Sequence, residues 1–103
     1  MSAAEFEPAE VPAWRWIATP SGNLRWSEWE GDCAVYHRPS GKTHFVNAAT
    51  RILIGRILSA PCDAAAAADA LAHIQGVEPD DAFRTHVWGL LVRLEELGLV
   101  ERT

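Results

Sequence analysis

Apolar residues along this chain follow two different periods. From residue 14 to residue 47 they alternate with polar ones in short runs, and from residue 48 to residue 97 they return every third or fourth position. Alternation marks a strand with one buried face, and the longer period marks a helix with one buried stripe. Residues 14–17 (WRWI) form a short β-prone piece, closed by the turn cluster Thr19-Pro20-Ser21-Gly22-Asn23. In residues 24–30 (LRWSEWE), Leu24, Trp26 and Glu28 point one way and Arg25, Ser27 and Trp29 the other. Gly31-Asp32 reads as a turn, and residues 33–37 (CAVYH) and 43–47 (THFVN) as the next two strands. Pro39-Ser40-Gly41 between them fits a three-residue hairpin loop, with proline presetting φ and glycine taking the left-handed position. That loop pairs Arg38 with Lys42, Tyr36 with His44 and Val35 with Phe45, so that Cys33, Val35 and Phe45 share the buried face. A one-residue shift in register would turn every side chain to the other face.

Three helices follow. Asn47 predicts an N-cap for a helix over about residues 48–59, with Ile52, Leu53, Ile54, Ile57 and Leu58 on its apolar stripe. Gly55 inside it costs up to about 1 kcal/mol relative to alanine, which a close backbone contact would justify. Asp63 caps a second, alanine-rich helix over residues 64–75, stopped by Gly76; its five consecutive alanines read as close helix packing. Asp80 or Asp81 caps a third helix reaching about Leu97. Its core stripe is Phe83, Val87, Leu90, Leu91, Leu94 and Leu97, and Gly98 is its stop. Residues 99–101 suffice only for a terminal strand or cap. The expected fold class is α+β: a small winged-helix-like domain in which a three-stranded antiparallel sheet is followed by three helices. Residues 1–13, with Pro8 and Pro12 and no periodicity, read as a flexible N-terminal tail before a single domain of residues 14–103.

Composition narrows the functions open to such a domain. With 103 residues and 49% apolar content the chain is neither disordered throughout nor large enough for a separate cofactor domain. No apolar run is long enough to span a bilayer, and residues 1–10 hold three glutamates and no base, unlike a secretory signal. The expectation is a cytoplasmic protein. Cys33 and Cys62 lie 29 positions apart without CxxC spacing, which argues for buried thiols rather than a disulfide or zinc site. The four histidines (His37, His44, His73 and His86) are scattered, and no phosphate loop or activated nucleophile is recognisable. No catalytic residue, metal or cofactor is therefore expected.

Charge is unevenly spread. Net charge is −5, yet residues 33–62 hold four bases (Arg38, Lys42, Arg51 and Arg56) and no acid. Four charges are too few to make nucleic acid the expected partner, but they mark a face suited to something acidic. A DNA-binding regulator would need a basic recognition helix. The third helix instead sets Arg84 and Arg93 against Asp80, Asp81, Glu95 and Glu96. Peptide capture suits the pattern better, because an edge strand offers unpaired amides and carbonyls to an extended chain. Thr43, His44, Phe45, Val46 and Asn47 are the expected edge. Arg84, Val87, Trp88 and Leu91 are the expected helical wall, with Trp88, off the main stripe, as an aromatic anchor. A second copy of the chain filling the same groove, giving a homodimer, is a further possibility.

The segment Tyr36-His37 … Ser40-Gly41-Lys42-Thr43-His44-Phe45-Val46-Asn47, followed by Ala48-Ala49 and an apolar helix, resembles the PqqD family of peptide chaperones. It is most similar to the branch found beside HPr-kinase-related proteins. The closing Leu94-Glu95-Glu96-Leu97-Gly98-Leu99-Val100 is similar to the family's ending, and the resemblance covers roughly residues 24–101. It implies a winged-helix domain that recognises the leader of a ribosomally made precursor peptide. Such a domain presents its peptide to a modifying enzyme, often a radical-SAM protein or, for this branch, a kinase-related one. The leader would lie as an added strand between the third strand and the third helix. The tryptophan-rich residues 14–17 precede the region of resemblance. Of five tryptophans, four lie before residue 30. Trp14 and Trp16 share one face of their short strand, where stapling the sheet is the expected role.

Overall fold

The computed structural model describes residues 14–30 and 32–103. The expected tail of residues 1–13, and Gly31, lie outside the described residues. The chain is α+β, with a three-stranded antiparallel sheet followed by three helices, and it adds a second three-stranded sheet. Strands β2 (Leu24–Trp29), β3 (Asp32–His37) and β4 (Lys42–Val46) form one sheet in the order β2-β3-β4. Strands β1 (Arg15–Ala18), β5 (Cys62–Asp63) and β6 (Val100–Arg102) form the other, in the order β5-β1-β6. The N-terminal tryptophan-rich segment thus supplies the central strand of a sheet, one residue further on than the expected 14–17. Asp32 belongs to β3, opposite Trp29, and Glu30 takes φ +39° in the tight connection before it.

The hairpin register differs from the expected one by a residue. His37, not Arg38, faces Lys42, which sets Tyr36 against Thr43, Val35 against His44 and Ala34 against Phe45. The loop has four residues, and His37 closes it. Its carbonyl accepts from Gly41 N at 2.8 Å, and its Nδ1 lies 2.7 Å from Ser40 Oγ. Because partners across a ladder share a face, the shift exchanges two side chains. His44 turns inward with Val35, and Phe45 turns outward, 76% exposed, with its ring edge-on to Trp29 at 6.2 Å.

Helix α1 (Ala48–Gly55) begins where expected, with Asn47 Oδ1 accepting from Thr50 N at 2.8 Å. It ends earlier than its apolar stripe suggests. Gly55 is its last residue, Arg56 leaves helical geometry, and a separate 3-10 turn follows at Ile57–Ser59. Nothing lies within 4 Å of a Cβ built on Gly55, so a close backbone contact is not its reason. Helix α2 (Ala64–Gln75) is capped by Asp63 and stopped by Gly76 in the left-handed conformation. Its Ala64, Ala67, Ala68 and Ala72 are buried. Helix α3 (Asp81–Glu96) is capped by Asp80, whose side chain accepts from Phe83 N at 2.8 Å.

One core joins both sheets and all three helices, built from Trp16, Val35, Leu53, Leu58, Leu71, Val87, Trp88, Leu91, Leu94, Leu99 and Val100. Gly98 shows how closely the parts meet. It takes φ +80°, and a Cβ there would lie 3.3 Å from the His37 ring. The turn after α3 and the β3–β4 hairpin therefore touch through a residue that only glycine fits. No helix among the described residues is long and apolar enough to cross a membrane.

Candidate functional site

Strand β4 lies at the edge of its sheet, with β3 on one side only. Its free side faces a groove of about 510 Å³ whose opposite wall is α3. Thr43, His44, Phe45, Val46 and Asn47 line the strand side, with Thr50 at the end. The helix side is Leu90, Arg93, Leu94 and Leu97, which recur at helical spacing along one face. The groove thus brings together the five strand residues named from the sequence, but its helix wall is a different face from that of Arg84, Val87, Trp88 and Leu91.

The reason lies on the other side of α3. Val87 and Leu91 are fully buried, and Trp88, 2% exposed, stacks on Trp14 at 5.4 Å and meets Trp16 edge-on at 5.2 Å. Trp88 is thus a core residue wedged against β1, not an accessible anchor. Arg84 turns to α2, pairing with Asp69 at 3.4 Å, and to Asp81 at 3.8 Å. Helix α2 engages Arg84 and the N-terminal segment covers Trp88, so the groove falls to the next face round. Leu90, Leu94 and Leu97 were visible as part of the apolar stripe. The signal for their role was its width: six apolar positions exceed one core-facing seam.

The groove's chemistry is mixed. Val46 is half-buried against the core, whereas Thr43 and Phe45 are exposed. Asn47 has a structural duty as helix cap at one end. His44 forms part of the wall; its Nε2 is buried and makes no hydrogen bond. Burial, and then the neighbouring bases His37, Lys42 and Arg93, hold its imidazole below the ordinary histidine value. Arg93 Nη1 lies 3.4 Å from Glu96 Oε2 in an exposed pair.

The basic stretch divides in space. Arg51 sits 4.8 Å above the Trp26 ring and pairs with Glu28 at 2.9 Å, while Arg38 and Lys42 belong to the β3–β4 hairpin. A second cavity of about 400 Å³ opens between the sheets, with Ile17, Leu24, Trp26, Ile54 and Leu58 among its walls. Cys33 and Cys62 are free thiols, Cys33 buried and Cys62 half-buried, where burial pushes its pKa up. Among the described residues, no group of three His, Cys, Asp or Glu side chains could hold a metal ion.

What this arrangement can do is accept an extended chain. The free strand edge supplies backbone donors and acceptors, and the leucines of α3 supply apolar contact beneath. No family model, curated protein or solved structure matches the chain.

Proposed function

We propose that this domain is a non-catalytic peptide chaperone. In this reading it binds the leader of a ribosomally made precursor peptide by adding it as a strand to β4, and presents it to a modifying enzyme. The observation that carries the reading is the pairing of a free edge strand with a leucine-lined helix face across one groove. The resemblance of residues 24–101 to PqqD-family chaperones supports it.

Magnitudes are consistent with a side-chain contribution. Four ladder hydrogen bonds net about 2–6 kcal/mol, against about 8 kcal/mol for micromolar affinity. Covering an aromatic such as Phe45 adds about 1.5–3 kcal/mol, and an added strand would lie directly beside it. The bound chain would thus be read on both faces, by the leucines inside and by Phe45 outside.

The test uses binders selected from a random dodecapeptide display library and followed by amide hydrogen exchange. Strand addition slows exchange at residues 43–47, and N-methylation of alternate peptide amides abolishes binding. Binders that leave those amides unprotected, or that tolerate N-methylation in every register, would refute the reading.

A further inference from the structure

The groove does not share the charge of the protein around it. The chain carries 14 acids against 9 bases, yet the side chains lining the groove include one arginine, Arg93, and no acid. Lys42 begins the strand on the other side. His44 lies in the wall, where burial first, and then His37, Lys42 and Arg93, hold its pKa down. Its ladder partner on β3 is Val35, and His37 lies two residues further along that strand, on the same face.

Arg93 is available for a ligand. Its partner Glu96 lies on the same helix three residues on, and the two side chains are 67% and 62% exposed. Exposed pairs of this kind contribute little and exchange readily. Arg84, by contrast, is committed to Asp69 and Asp81.

Resting on the reading of this groove as a peptide site, we infer that it selects an extended segment carrying a carboxylate side chain, with the acid against Arg93 and apolar side chains over Leu90 and Leu97. The spacing supports this. Arg93 lies between the two leucines, which seven residues of helix set about 10 Å apart. Inward side chains of an added strand recur every 6–7 Å or so. Three successive inward positions, about 12–14 Å end to end, therefore cover this wall of about 10 Å with a little to spare, in the order apolar, acidic, apolar. A planar guanidinium suits this role, because it can hold both carboxylate oxygens at once.

The library binders provide the probe. The enriched peptides are expected to share Asp or Glu at one fixed position, with apolar residues two places on either side. In resynthesised binders, Glu→Gln at that position should weaken binding about tenfold, the scale of one charge-assisted hydrogen bond. Arg93→Gln should remove the Glu preference, and Arg93→Glu should reverse it in favour of the Lys-substituted peptide. Both variants alter an exposed side chain, and circular dichroism checks their fold. Binders that protect β4 without enrichment of acids, or with a charge preference indifferent to Arg93→Glu, overturn this inference and leave strand addition standing. An absence of any binder that protects β4 overturns both.

Discussion

His44 illustrates how one position of register decides what a residue does. Had Arg38 faced Lys42, Phe45 would be buried and His44 would lie outside. With His37 in that place, His44 turns inward, and burial first, then the neighbouring bases, lowers its pKa. The consequence for stability has a definite sign. A histidine whose folded pKa lies below its unfolded value of 6.5 binds fewer protons when folded. Its neutral form is no burden above that pH, and stability is lost as pH falls through 6.5 toward the lowered value. Urea midpoints measured between pH 7.5 and 5 should therefore decline, and His44→Gln should flatten the decline. An unchanged slope in the variant would show that other groups cause it. The sequence could not reveal this, because Pro39-Ser40-Gly41 suits a three-residue loop. In the four-residue loop the His37 ring is held by Ser40 within the turn and lies against Gly98 from the turn after α3.

At the scale of elements, β1 carries more than its four residues suggest. Trp16 is fully buried, and its Nε1 donates to Glu95 Oε1 at 3.2 Å. Glu95 also accepts two bonds from Arg102, at 3.0 and 2.9 Å, and the Arg102 guanidinium lies 4.1 Å from the centre of the Trp14 ring. Arg102 beside it holds the Glu95 carboxyl below its ordinary pKa, with a smaller part from Trp16. Strand, helix and C-terminal strand thus meet at one carboxylate. Trp16→Ala should cost about 3–5 kcal/mol, a large share of the stability of a small domain. Chemical denaturation would show this as a lower midpoint, and a loss below about 1 kcal/mol would mean that β1 is only loosely attached. Helix α2 was legible to the residue because Asp63 and Gly76 bracket it. The central place of β1 was not, because β5 and β6, at two and three residues, are too short for alternation to register. The wall of the groove was hidden for a related reason. The stripe of α3 serves the core and the groove at once, and only the docking of β1 divides it.

For the molecule as a whole, the two sheets share one core rather than each having its own. Unfolding should accordingly be a single transition. Tryptophan fluorescence reports on the Trp14, Trp16 and Trp88 contacts and on Trp26 and Trp29 of the other sheet, and far-ultraviolet dichroism mainly on the helices. Their denaturation curves should coincide, and separated midpoints would show that the fold does not unfold as one unit. The order of synthesis adds a final consequence. Trp16 pairs with Cys62 and with Arg102, 46 and 86 positions later in the chain. At ribosomal rates the second partner arrives roughly 4–17 s after the first tryptophan strand has been made. During that interval β1 has at most one neighbour, and for most of it Trp14 and Trp16 lack Trp88 of α3, which covers them. The segment that begins the described fold is therefore among the last parts to settle into it. Newly made chains should present residues 14–17 to chaperones until the C-terminal strand arrives.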